Sequence, residues 1–306
     1  MFALRSSVGL PLAAIFSSIF FLCIGTSWAK SSLFPFVGAQ GSTALRLGFS
    51  ALLMLLFWRP WRARITGAEA RSIALYGCTL GIMGLAFYLS LRTLPLGIAE
   101  AIAFIGPLGV AMASSRRLTD FVWIGLAIVG LGLLLPVGQD VGTLDPTGMA
   151  WAALAGTCWG CYIVFGKRVG HLPISITAPL GTAVAALVAV PIGVAHAGAA
   201  LFSPAILLTG LGVALVSSAI PISLELFALK HLPKRVFGTM TSMEPAVAAV
   251  LALVFLGEVL DLTQCAAIVL IMAASMGCAM TAQSSASRPA PLAPSAKTSK
   301  KIAAHA

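Results

Sequence analysis

Part of this chain is written twice. Leu94-Pro95 through Gly106-Pro107 returns as Leu232-Pro233 through Glu244-Pro245, a shift of 138 residues, and in each copy the prolines stand twelve positions apart. A second echo, Gly25-Thr26-Ser27-Trp28 against Gly156-Thr157-Cys158-Trp159, is shifted by 131. Proline recurring by chance does not account for matched Leu-Pro and X-Pro pairs together with Gly-Thr-x-Trp. The chain reads as one unit in two copies, 1–140 and 141–282, followed by a tail, 283–306.

The repeated unit belongs in lipid. Hydrophobic residues make up 59% of the chain, charged residues 9%, and the mean hydropathy is +1.01. A water-soluble chain carries about a quarter charged residues, so this one lacks the polar surface to face water all round. Ten apolar runs of roughly spanning length, about 20 residues each, fall near 8–29, 39–58, 72–91, 95–114, 119–136, 148–166, 174–195, 206–229, 235–256 and 262–281. An all-α membrane protein of ten helices follows, five to a copy.

The basic residues orient it. With the N-terminus in the cytoplasm, sixteen of the nineteen lysines and arginines fall on the cytoplasmic side, among them Arg59, Arg62, Arg64, Arg71, Arg116, Arg117, Lys167, Arg168 and Lys230. Only Lys30 and Arg92 fall outside, and Arg46 lies within a span. The positive-inside rule therefore predicts cytoplasmic N- and C-termini. It also explains the net charge of +10 without nucleic acid, since no basic segment is interleaved with aromatics. Five spans per copy is an odd number, so the second copy enters the membrane from the opposite side. Inverted repeats of this kind characterise alternating-access transporters, with the site near the midplane between the copies.

Ser-Leu-Phe-Pro-Phe-Val-Gly (32–38), Thr-Ala-Leu-Arg-Leu (43–47), Pro-Leu-Gly-Ile-Ala (95–99), Gly-Pro-Leu (106–108), Ser-Ser-Arg-Arg (114–117) and Leu-Pro-Val-Gly-Gln-Asp (135–140) are motifs of the first copy. Pro-Ile-Ser-Leu-Glu (221–225) and Phe-Gly-Thr-Met-Thr-Ser-Met-Glu-Pro-Ala (237–246) are those of the second. Together they resemble the drug/metabolite transporter superfamily, and within it the EamA-type branch of threonine/homoserine exporters. The resemblance runs over about residues 25 to 281. It implies ten helices, a bacterial inner-membrane location and efflux of small amino acids or related metabolites. One position departs: the branch commonly carries Glu three residues before the Gly-Pro of its fourth helix, where this chain has Ala103. Its nearest acid, Glu100, lies one turn away on the same face.

Charges inside spans carry the mechanism. Glu100, Glu225, Glu244 and Arg46 each cost on the order of 2.5–3.5 kcal/mol at a helix centre on insertion scales. Such a residue faces the bundle interior, finds a partner or is protonated. Glu244 and Glu225 are expected to line a cavity and bind a substrate ammonium or a coupling proton, with rim solvation the rival for Glu225. For Glu100, near a helix end, a gate or solvated rim competes with direct binding. Arg46 either meets a substrate carboxylate or pairs with one of the glutamates. Trp28 and Trp159 hold matched places, and with Tyr88 and Tyr162 they suit either an interfacial belt or a cavity wall.

Other chemistry is excluded by context. His171, His196, His231 and His305 have no metal spacing, and Cys158-x-x-Cys161 sits in an apolar helix rather than a βαβ unit. Gly160 to Arg168 has the wrong gap for a phosphate loop and no preceding strand. Neither a cofactor nor a metal is expected. The expected function is proton-coupled export of threonine- or homoserine-like amino acids by alternating access. An exporter of other metabolites or drugs on the same fold is the alternative. An intramembrane enzyme or receptor lacks the catalytic cluster it would need.

Overall fold

The computed structural model describes residues 3–114, 118–134, 145–241, 243–257 and short stretches between 262 and 274. The 140/141 boundary, the tail, and Arg116 and Arg117 lie outside them. All regular elements among the described residues are helical: α1 (Ala3–Ser32), α2 (Phe34–Trp58), α3 (Gly67–Ser90), α4 (Leu96–Ala103), α5 (Ile105–Ser114), α6 (Leu118–Leu134), α7 (Pro146–Arg168), α8 (Ile174–Ala197), α9 (Pro204–Ala214), α10 (Ile220–His231), α11 (Lys234–Thr241) and α12 (Glu244–Leu256). Six helical stretches are long and apolar enough to cross a membrane, and four shorter apolar ones accompany them.

Three expected spans are not single α-helices. The run 95–114 breaks at Phe104 into α4 and α5, and 235–256 breaks into α11 and α12. Each break falls just ahead of an X-Pro pair, because proline removes a ladder N–H and disfavours helix at the residue before it. The bounds of α4, moved by 138 residues, are those of α11. Between α9 and α10 the chain widens into a π turn over Leu215–Ala219, where the Ile220 N–H reaches back to the Leu215 carbonyl. The Ala214 carbonyl beside it accepts from Ser50 Oγ at 3.1 Å.

Small residues let the helices close on one another. α2 packs along α8 and α3 along α7 and α8; α1 lies against α10 and α12, and α5 against α7 and α11. A Cβ on Gly81 would stand 2.8 Å from the Ala185 carbonyl, so α3 and α8 touch backbone to backbone. Such contact replaces the hydrophobic drive that lipid does not supply. Gly38, at φ +67°, kinks the start of α2 in a backbone region that glycine tolerates.

The connections sort to two ends. At one end Lys30 Nζ donates to the Leu94 carbonyl at 3.3 Å, and Thr93 lies against Gly148. Asp145 caps α7 there, accepting from the Thr147 N–H at 3.0 Å, which holds its carboxyl below the usual range. At the other end His171 lies 3.5 Å from Glu69, and Lys167 Nζ donates to the Leu232 carbonyl. The two lysine bonds are alike: each lysine closes the first helix of a copy onto the Leu-Pro corner of that copy's fourth span.

Candidate functional site

The walls of one cavity of about 660 Å3 come from both halves of the chain. α1 contributes Leu22 and Thr26, α2 Arg46 and Leu47, α4 Glu100 and Ala103, and α7 Ala155 and Trp159. α3 presents Leu80, Met83, Gly84 and Phe87; the π turn and α10 present Ser217, Ser218, Pro221, Ile222 and Glu225. Glu244 opens α12 at the break behind α11. Positions 80, 83, 84 and 87 have the i, i+3, i+4, i+7 spacing of one helix face. Shifted by 138 they become 218, 221, 222 and 225, which also line the cavity.

All four intramembrane charges meet here. Glu100, Glu244 and Arg46 are buried, and Glu225 is half-buried. Glu225 is held by neutral donors from two other helices: Ser18 Oγ of α1 donates to Oε1 at 3.2 Å, and the Tyr162 hydroxyl of α7 to Oε2 at 3.0 Å. Its carboxylate is therefore fixed in place rather than solvated at a rim. The Tyr162 ring in turn packs on Tyr76, with centroids 5.1 Å apart. Glu244 differs, because its Oε2 is buried with no hydrogen-bond partner. Glu100 lies in the cavity wall one turn from Ala103, so both positions on that face of α4 look into the same space.

Arg46 does not pair with a glutamate. Among the described residues it makes no ion pair within 4.0 Å; its guanidinium carbon sits 4.6 Å above the centre of the Tyr88 ring, and its Nε has no partner. Gly84 makes room for it, since a Cβ there would stand 2.6 Å from a guanidinium nitrogen. The aromatic face holds the cation without neutralising it, which leaves its donors for an anion in the cavity.

The aromatics separate. Trp159 lines the cavity and is buried, whereas its repeat mate Trp28 is 39% exposed, packs over Gly212 and lies outside the cavity wall. Trp28 is thus removed from the group of cavity residues. Tyr88 is fully buried behind Arg46 and is not part of the lining, so its place is to position the guanidinium. Neither Tyr88 nor Tyr162 is at an interface. Ser18 and Tyr162 as partners of Glu225 were not legible in the sequence, because they lie 207 and 63 residues from it.

Known proteins match this chain at three levels. The EamA-like transporter family (EamA) matches residues 146–280. Over 277 residues the chain is 48% identical to the threonine/homoserine exporter RhtA of Escherichia coli (strain K12), covering 90% of this chain and 94% of that one. It is likewise 48% identical over 274 residues to the threonine/homoserine exporter RhtA of Salmonella typhimurium (strain LT2), covering 90% and 92%. A protein of known crystal structure, 18% identical, aligns with a TM-score of 0.64 over 91% of this chain and 98% of that one, a likeness of fold.

Proposed function

We propose, from the premise that the chain belongs to the EamA-like transporter family, that it exports threonine and homoserine across the bacterial inner membrane. The observation that carries this reading is the pairing of opposite charges with unpartnered atoms around one cavity. Arg46 Nε has no acceptor and Glu244 Oε2 has no donor. A free amino acid supplies both, a carboxylate for the guanidinium and an ammonium for the glutamate. The apolar lining of Leu47, Leu80 and Phe87 leaves a small side chain as the remaining fit.

The mechanism we infer is alternating access between ten spans arranged as two inverted copies, driven by exchange of a proton for the substrate ammonium at Glu244. Its supports are the α4 and α11 bounds that agree under the 138-residue shift, the four paired positions on the cavity wall, and the two lysine-to-corner bonds at opposite ends. With the termini cytoplasmic, Lys30 marks the outer mouth and Lys167 the inner one. The roles of Arg46, Glu100, Glu225, Glu244 and Trp159 toward substrate belong to this reading, with Tyr88 behind Arg46.

Export of radiolabelled threonine or homoserine from loaded cells tests it: cells overproducing the chain are expected to release more of both and to tolerate inhibitory concentrations. Unchanged release beside raised tolerance of a dye or sugar analogue would move the function to other metabolites. Reporter fusions at His171 and His231 are expected to read cytoplasm and one at Asp145 the outer side. A cytoplasmic signal at Asp145 removes the inverted repeat.

A further inference from the structure

Serine and threonine hydroxyls inside helices normally return to the carbonyl four residues back. This chain follows that habit repeatedly: Thr43 bonds Ala39, Thr157 bonds Ala153, Thr177 bonds Pro173, Ser217 bonds Val213 and Ser223 bonds Ala219. The cavity wall holds three hydroxyl side chains, Thr26, Ser217 and Ser218. Ser217 is spent on its own helix at 2.7 Å. Thr26 and Ser218, 2% and 0% exposed, have no such bond, and Ser218 Oγ is a buried group without any partner.

The fold brings these two hydroxyls to one crossing. A Cβ on Gly25 would stand 2.7 Å from the Ser217 nitrogen and 2.8 Å from its Cα, so α1 rests on the π turn backbone to backbone. Thr26 and Ser218 each follow that contact by one residue. The π turn matters here, because the extra residue per turn shifts which side chains face inward, and such turns concentrate at functional positions. The repeat supplies a comparison. Thr157, the counterpart of Thr26 in the second copy, bonds its own helix and is exposed.

We propose that Thr26 and Ser218 form the subsite that reads the side-chain hydroxyl of the transported amino acid. The inference rests on the amino-acid reading above and adds a determinant of selectivity to it. A hydroxyl both donates and accepts, so it pairs with either residue in either direction. A buried site built around such groups rejects the analogue lacking the hydroxyl, since the site's own groups then stay unpaired. Two hydroxyls on neighbouring elements also account for tolerance of the group on either of two carbons, as in threonine and homoserine.

The test is competition in proteoliposomes among threonine, homoserine and 2-aminobutyrate, the deoxy parent of both. The wild type is expected to prefer the hydroxylated pair. Thr26→Val and Ser218→Ala are each expected to lower that preference about tenfold while 2-aminobutyrate transport is kept or raised. Thr26→Ser, which keeps the hydroxyl, is expected to restore the preference, and Thr157→Val to leave it unchanged. A wild-type ratio in both Thr26→Val and Ser218→Ala, at normal levels of folded protein, overturns the subsite. A wild type that moves neither threonine nor homoserine instead overturns the amino-acid reading, and this inference with it.

Discussion

The third spans of the two copies present the same four positions to the cavity with different chemistry. α3 offers Leu80, Met83, Gly84 and Phe87; the π turn and α10 offer Ser218, Pro221, Ile222 and Glu225. The X-Pro corners diverge in the same sense. Gly106 has no side chain and lets α5 lie on α7, where a Cβ would collide with the Gly156 carbonyl and stand 2.9 Å from the Gly160 nitrogen. Glu244, at the matching place in the second copy, puts a carboxylate into the cavity. The repeated backbone supplies shape and single side chains supply chemistry. The first copy gives an apolar wall and a packed seam, broken only by Arg46 and Glu100. The second gives the polar wall.

The largest effect is expected where the seam is broken. Gly106→Ala drives a methyl into the Gly156 backbone, which has no side-chain end that can yield. A destabilisation of about 3 kcal/mol is expected, read as loss of monodisperse protein and of thermal stability in detergent. Near-normal stability would show that α5 and α7 part easily.

Next comes the opposite corner. Glu244→Gln keeps the shape and hydrogen-bonding capacity of the side chain but cannot titrate. Normal protein levels are expected, with proton-driven threonine export down at least about tenfold and exchange of labelled for unlabelled substrate impaired less. Full export by this variant would leave the second corner as structural as the first, and move the proton to Glu225.

A smaller effect sharpens the comparison between the two ends. Lys30→Gln and Lys167→Gln each weaken one closing bond to a Leu-Pro carbonyl. Opposite shifts in labelling of a cysteine placed in the cavity are expected, toward the outer face for Lys30→Gln and the inner face for Lys167→Gln. Shifts of the same sign would mean that the bonds only stiffen their helices.

The smallest concerns the Asp145 cap of α7. Asp145→Ala removes acceptors for the Thr147 and Gly148 N–H groups, and a slight fall in melting temperature is expected with transport unchanged. The carboxyl is held below its usual range in the folded chain. Its contribution is therefore full above the ordinary carboxylate range and disappears as pH falls through the depressed value. Wild type and variant should converge in melting temperature under acid; a gap that persists there would remove the carboxylate from the cap.

The repeat, the lipid setting and the gathering of charges were legible in the amino-acid sequence, each for a reason that acts locally. An apolar run long enough to span needs no partner to be recognised, and a charge within it is too costly to face lipid, so Arg46, Glu100, Glu225 and Glu244 point inward wherever their helices stand. The direction of each helix's other residues is a different matter. Rotation about the helix axis is set by small-residue contacts with helices far along the chain, such as Gly81 on Ala185 and Gly25 on Ser217. Only the tertiary structure could therefore send Trp159 into the cavity and Trp28 away from it, seat Arg46 on Tyr88 instead of a glutamate, and bring Ser18 and Tyr162 to Glu225. It also decided that the paired prolines break their spans, because helix and break lie close enough in energy for packing to choose between them.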